Sequence, residues 1–470
     1  MLSDTRAKRC AAAGRRGPLP RAAGRPAAGP AAREPSAGRR TPPLKCILRL
    51  APLMGVNLRE LFLPHPVNEG WLEGRRVAVD GHNLAYRYLT SARAPDGDLL
   101  RNAAGRPIAH LLGFLGLVRH LRERGAEPII VWDGAVHARK LATVQERVAT
   151  WRKAQEKVDD LQRRLAHATA IGPAAYARAA RLRHEALAGP LVALDARPDA
   201  PPQPEHGRDA GGAGLPRTQQ VTLASSPDPS LPPPEAASPD EVAHARAELE
   251  RILVLGEAAY GARCIQELRV ELVEARRRVT SFDEPMREDC TRLLSSVGVA
   301  VVQADHDGER YAAGLCAAGH ADAVATEDFD ALVAGAPVML RKLGSREAFE
   351  HRLGDAGLSP SQLRQVAILC GTDWHPGVKG FGAKTARKAL ERYPDLRTLV
   401  AEADAGVQGR WHDLVRASGM DLALFEDLEA FIAHLPATPE PPRAKPDPAA
   451  AVALADTFGV GRARVLGCFS

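Results

Sequence analysis

The sequence predicts an α/β fold, a mostly parallel central sheet flanked by helices. Three observations predict it. Short β-branched runs such as "RRVAVD", ending in Asp80, and "EPIIVWDG", passing through Asp133, alternate with amphipathic helical stretches. The same rhythm returns between Arg287 and Leu343. Acids recur at the ends of these strands, where open parallel sheets gather their functional groups. No apolar run approaches the roughly 20 residues of a membrane-spanning helix, so no membrane partner is expected.

Residues 1–53 are rich in Ala, Arg, Pro and Gly, lack a helical apolar period and are expected to be disordered. They hold twelve Lys/Arg against Asp4 and Glu34, which leaves −4 for the rest of a chain whose total is +6. A sequence pI near 9.0 therefore says little about nucleic-acid binding, which must rest on local basic faces. Two readings of this leader stand: an organelle transit peptide, or a start codon set too early in a GC-rich gene. On the second, "MGVNLRELF" from Met54 begins the ordinary protein. The seven cysteines are scattered, without a C-x-x-C pair, which fits a reduced protein better than a disulfide framework or zinc site.

The N-terminal part of the core is expected over 54–138. Its strand ending in Asp80 leads into the helix "GHNLAYRYLTSA". "PIAHLLGFLGLVRHLRERG" follows as an amphipathic helix, with Pro107 near its start and Gly125 past its end. A helical insertion spans 139–280. It has long charged helices at 139–168 and 241–278, and a linker at about 190–240 with eleven prolines between 191 and 240. The core resumes over 281–390 with "REDCTRLLSSVG" (helix), "VAVVQAD" (strand), "GERYAAGLCAAG" (helix), then "ADAVATED" and "APVMLRKL" (strands). A C-terminal helical region covers 391–470. No internal repeat is apparent.

The stretch "HDGERYAAGLCAAGHADAVATEDFD" brackets an alanine-rich run with Asp307 and Glu309 at one end and Asp328 and Asp330 at the other. An Asp after a strand is often only a helix cap or turn residue. Four acid-bearing strand ends in one sheet are harder to explain that way. Left unpaired they would repel one another. Divalent ions would make the cluster tolerable, and hard oxygen ligands suit Mg²⁺ or Mn²⁺. Two such ions about 4 Å apart are a known device for hydrolysing phosphodiesters. A seventh acid, Asp373, precedes "WHPGVKGFGAKTARKAL", which reads as a helix–hairpin–helix. There Gly377, Gly380 and Gly382 let backbone N–H groups approach a phosphate ahead of a basic helix with Lys384.

Taken in order, these motifs resemble the flap endonuclease family of structure-specific 5′ nucleases, the archaeal and eukaryotic replication type of the XPG superfamily. The resemblance covers most of 54–160 and 280–390. It implies a PIN-like nuclease core, a helical arch over the active site and a DNA-binding helix–hairpin–helix. The metal-site acids would be Asp80, Asp133, Asp307, Glu309, Asp328, Asp330 and Asp373, with two Mg²⁺ ions, Mn²⁺ as a substitute and K⁺ at the hairpin. Lys140 and Arg147, seven residues apart on the first arch helix, would grip the scissile phosphate. Tyr86 would stack on a base, Gly55 would pack near the DNA path, and Lys379 would join the hairpin contacts.

Two departures stand out. The family's usual Glu is Asp307 here, and the 133–307 interval is roughly a hundred residues longer than the family needs. The expected activity is cleavage of DNA at single-strand/duplex junctions by a monomer. No sliding-clamp peptide is visible after "FGVGRARVLGCFS". Location is expected to be cytoplasm or nucleoid in a prokaryote, nucleus or organelle in a eukaryote. A 5′ exonuclease, a four-way-junction resolvase, an RNA-directed nuclease and a non-catalytic DNA-binding scaffold stand as alternatives.

Overall fold

Seven strands form one sheet: β1 (His65–Pro66), β2 (Arg76–Asp80), β3 (Glu127–Trp132), β4 (Ala300–Gln303), β5 (Ala323–Ala325), β6 (Val338–Arg341) and β7 (Phe349–Arg352). Their order is β1-β7-β6-β5-β2-β3-β4. The computed structural model describes residues 58–188, 237–345 and 347–469. Gly55, the leader and most of the proline-rich stretch lie outside the described residues.

The five strands from β6 to β4 run parallel, as the βαβ rhythm predicts, whereas β7 pairs antiparallel with β6 and β1 with β7. β7 is not among the strands expected from the sequence. Its "FEHR" carries charge at alternate positions and no β-branched residue. The parallel register pairs Asp80 with Val131, Val79 with Ala325 and Trp132 with Gln303. The carboxyl ends of β2, β3, β4 and β5 therefore finish along one edge.

Helices α1 (Gly81–Ser91) and α2 (Ala109–Arg122) connect β2 to β3. Between β3 and β4 come α3 (Leu141–Ile171), α4 (Pro173–Ala188), α5 (Pro239–Leu255), α6 (Glu257–Arg278) and α7 (Glu284–Ser296). Then α8 (Gly308–Ala317) precedes β5, and α9 (Asp330–Val333) follows it. After β7 come α10 (Pro360–Cys370), α11 (Ala383–Arg392), α12 (Leu396–Asp404), α13 (Arg410–Ser418), α14 (Leu422–Ala433), α15 (Pro448–Phe458) and α16 (Arg462–Leu466).

The parallel strands β2, β3, β5 and β6 bury both faces, while β4 at the sheet edge is half-buried to exposed. Val77, Val79, Ile130 and Trp132 pack with α2, α7, α15 and α16 on one side. Ala78, Ile129, Val131 and Val324 pack against Ala312, Ala313 and Leu315 of α8 on the other. The alanine-rich run is thus a close-packing face. Even Gly314 has no room to grow, since a Cβ there would lie 2.9 Å from Thr438 Cγ2. A third cluster joins α10–α14 to Leu58, Phe62, Phe329 and Leu332.

The insertion differs from the expected pair of long helices. The segment expected as one helix over 241–278 breaks at Gly256 (φ 79°, ψ 152°), and the first continues beyond Gly172 (φ 80°, ψ 163°) as α4. Both glycines occupy backbone conformations that favour glycine. Both joints read G-x-A-A-Y, at 172–176 and 256–260, a local echo too short to make an internal repeat. Val158, Leu161, Ile265, Leu268 and Leu272 zip α3 to α6, and Ala177, Ala180, Ile252 and Tyr260 join α4 to its neighbours.

Gly261 sets how closely these joints meet. A Cβ there would fall 1.9 Å from the Pro173 carbonyl oxygen, a backbone atom that cannot rotate away. Gly261→Ala should therefore loosen α4 from α6 at a cost of about 1–3 kcal/mol. Faster hydrogen exchange across α4 and the start of α6, with the sheet unchanged, is the expected result.

Candidate active site

The strand-end acids meet where the register sends them. Asp80, the last residue of β2, is buried; its Oδ1 accepts from the Asn83 N–H at 3.1 Å and its Oδ2 from the Thr326 hydroxyl at 2.9 Å. The bland reading of Asp80 as a cap for α1 is thus correct for one oxygen only. Asp133 stands just past β3, and its Oδ1 accepts from the Gly308 N–H at 2.8 Å. Its own N–H donates to His82 Nδ1 at 3.0 Å, which identifies that nitrogen as unprotonated. Burial lowers the His82 pKa, in keeping with a neutral ring despite an Asp133 oxygen 3.5 Å away.

Asp328 lies beyond β5. Its Oδ1 accepts from the Asp330 N–H at 3.0 Å, while its Oδ2 is buried without a hydrogen-bond partner. Asp330 opens α9 and is buried beside it. Glu327, next in sequence to Asp328, faces away, paired with Arg87 at 3.0 Å and Arg341 at 3.3 Å. Glu309 sits in the first turn of α8, within electrostatic reach of Asp133, Asp307 and Asp373.

Two cations face this cluster from the insertion. Lys140 Nζ lies 2.6 Å from Asp307 Oδ1 and 3.6 Å from Asp373 Oδ2. Arg147 donates to Asp373 Oδ1 at 2.7 Å. Lys140 does not share the regular helix with Arg147 as expected; it ends a 3-10 turn and caps α3. Both side chains nevertheless reach one carboxylate. Thr143 ties the same helix to the Asp373 carbonyl at 2.9 Å. The second oxygen of Asp307 accepts from the Trp374 indole at 3.1 Å, so this acid is turned toward Lys140 and Trp374.

Electrostatics follow from crowding. Burial, then Glu309 and Asp133, raise Asp80 well above the usual carboxylate range. Burial, then Asp330 and Glu309, do the same to Asp328. Glu309 is pushed up to about 7, chiefly by burial, with Lys140 pulling the other way. Burial opposes the Lys140 charge, but Glu309, Asp307 and Asp373 outweigh it and raise its pKa.

A donor set made of carboxylate oxygens, with one buried oxygen lacking a partner, fits hard divalent cations. Among the described residues no three His, Cys, Asp or Glu side chains form a ready-made metal cage. Mg²⁺ does not require one, since it keeps several waters and binds through one or two carboxylates.

The remaining expected residues sit around this centre. Tyr86, on α1, is half-buried with its ring 6.4 Å from Phe282, within electrostatic reach of Arg147 and Asp133. The loop from α10 to α11 holds Gly377 (φ 75°) and Gly380 (φ 96°), and Gly382 caps α11. Lys379 is exposed, and Lys384 pairs with Glu60 at 3.0 Å. Asp373 and Trp374 join this loop to the acids. His82, Thr326, Thr143 and Trp374 were missed in the sequence. All four neighbour a singled-out acid in a motif or in space, but only the fold shows what they touch.

Two family models match this chain: the XPG N-terminal domain over residues 58–155 and the XPG I-region over 298–373. The first carries Asp80, Asp133, Lys140 and Arg147, and the second carries the other five acidic positions. Flap endonuclease 1 of Methanothermobacter thermautotrophicus is 25% identical over 371 residues, 76% of this chain and 80% of that protein. Flap endonuclease 1 of Aeropyrum pernix is 26% identical over 375 residues, 75% of this chain and 78% of that one. The solved flap endonuclease-1 from Methanococcus jannaschii superimposes with a TM-score of 0.49 at 21% identity, covering 88% of this chain and 98% of that one.

The crowding has a sign that can be measured. A carboxyl raised from 4.5 to about 7 on folding contributes stability while it stays protonated. That contribution is complete below pH 4.5 and is lost as pH climbs through 7. In the presence of a chelator, Glu309→Gln should therefore match the parent near pH 4.5. Above pH 7 it should be the more stable, by about 2 kcal/mol once solvent at the half-buried carboxyl is allowed for. Denaturant melts at the two pH values read this difference.

Proposed function

This chain belongs to the flap endonuclease family of XPG nucleases, and from that premise we propose that it cuts DNA in replication or repair where a single-stranded 5′ flap leaves the duplex. It is a structure-specific 5′ nuclease that hydrolyses phosphodiester bonds, binds DNA and depends on divalent metal ions. A non-catalytic scaffold is not favoured.

The observation that carries this reading is one edge of one sheet. Acids from the ends of β2, β3 and β5 and from the start of α8 converge there, opposite Lys140 and Arg147. Asp80, Asp133, Glu309, Asp328 and Asp330 would hold two Mg²⁺ ions, with Mn²⁺ as a substitute. Asp307 and Asp373 would share their charge between the ions and the basic pair. When bound, such ions supply an activated water and stabilise the leaving oxygen. Lys140 and Arg147 would exchange an acid for the incoming phosphate. They would hold it beside the carboxylates and stabilise the charge that builds on it.

Tyr86, at the margin of this centre, offers a ring for a base. The Gly377–Gly382 loop offers backbone N–H groups to the duplex backbone, with Lys379 and Lys384 beside it and K⁺ as its ion. The protein would act as a monomer.

A labelled panel of flap, nicked, hairpin and four-way substrates with Mg²⁺ tests the reading, and preference for the 5′ flap is the expected outcome. Asp328→Ala should lower cleavage at least about a hundredfold, roughly 3 kcal/mol of barrier, and leave DNA affinity nearly intact. Lys140→Ala and Arg147→Ala should each cost about 10- to 1,000-fold in the single-turnover rate. Cleavage by the Asp328 variant within tenfold of the parent would count against the metal assignment.

A further inference from the structure

The C-terminal helical region touches the base of the first insertion helix at one aromatic ring. Phe431, near the end of α14, is only partly buried by the cluster it borders. Its ring carries two guanidinium groups, Arg310 at 4.1 Å and Arg139 at 4.9 Å. The His137 ring packs on it at 4.9 Å, and the Trp374 ring stands edge-on at 5.7 Å. Hydrogen bonds fix the orientation of this group. Arg139 pairs with Asp427 one turn back on α14 at 2.6 Å, and Arg310 donates to the Phe431 carbonyl at 2.7 Å and to the His434 carbonyl.

Both contacts lead to Lys140. Arg139 and His137 belong to the short turn that ends in Lys140, and His137 Nδ1 accepts the Arg139 N–H within it. Trp374 donates to Asp307, whose other oxygen holds the Lys140 ammonium. An aromatic face attracts cations through its quadrupole, which an aliphatic side chain of similar size cannot do. Small displacements of a group that meets a reacting phosphate are costly, since an error of about 1 Å can cost a hundredfold in rate.

We propose that Phe431 is a positioning residue for cleavage: by seating Arg139 and Trp374 it fixes where Lys140 stands against the acid cluster. The inference rests on the role of Lys140 proposed above and gives the C-terminal helices a part in the chemistry.

The test uses the full chain, with Phe431→Leu to keep apolar volume, Phe431→Tyr to keep the ring, and each also combined with Lys140→Ala. Phe431→Leu should slow single-turnover flap cleavage about 10- to 100-fold with DNA affinity changed less than about threefold, and Phe431→Tyr should restore the rate. In the Lys140→Ala background the Leu change should cost little more, because the two residues act through one group. Hydrogen exchange over residues 138–147 should quicken in Phe431→Leu while α10 and the sheet keep their protection. This last readout needs no catalysis, so it judges the seating even if the parent fails to cleave and the nuclease reading falls. Unchanged exchange over 138–147, or an undiminished cost of Phe431→Leu without Lys140, would overturn the proposal.

Discussion

Carboxylates forced onto one edge of a sheet repel one another, and the surroundings of that edge can be read as the means of tolerating them. Parallel strands in close register leave Asp80, Asp133 and Asp328 no other place to go. Burial magnifies the repulsion and holds Asp80, Asp328 and Glu309 above the usual carboxylate range. Some of the charge is met by hydrogen bonds, as where Thr326 and Asn83 donate to Asp80. More is met by Lys140 and Arg147, drawn against Asp307 and Asp373. On the function proposed, a cluster that gathers cations from a distant helix is also one that would take up divalent ions and, with them, a phosphate.

The acids were legible because topology constrains them: a residue that ends a parallel strand has its position set by hydrogen-bond register before any side chain packs. Glu309 was legible through its spacing from Asp307 across the first turn of α8. The basic pair needed the motif context, since a charged helix otherwise reads as a solvated face. What the sequence withheld depends on contacts between distant segments. Trp374 follows a singled-out acid, yet nothing local shows that its indole reaches Asp307. Phe431 lies in a stretch read only as helical. His82 sits inside "VDGHN", but its bond to the Asp133 N–H exists only because β2 and β3 are neighbours. The break at Gly256 was hidden in a helical pattern that continues on either side.

The insertion is anchored at both feet by different chemistry. The foot of α3 is held by Thr143, Arg147 and the turn at Lys140, all facing the site. The foot of α6 is held by Arg93, which donates to the carbonyls of Arg276, Arg277 and Val279, and by Arg276 on Asp96. These are contacts to the last carbonyls of a helix, where a cation also meets the favourable end of the macrodipole. The second foot therefore carries no group of the acid cluster.

That asymmetry bears on how the long insertion coexists with the chemistry. The two glycine joints, at 172 and 256, lie at the opposite end of α3 and α6 from the feet, and between feet and joints the helices are zipped by Val158, Leu161, Ile265 and Leu268. The joints set the directions of α4 and α5, whereas Lys140 and Arg147 are held separately, by Asp307, Asp373 and the contacts of the Lys140 turn with α14. Extra chain added beyond such joints changes what the insertion can reach without moving the residues that face the phosphate. A long interval between Asp133 and Asp307 is thus compatible with this site, because Lys140 and Arg147 are held by the turn before α3, by its first two turns and by the contacts of that turn with α14.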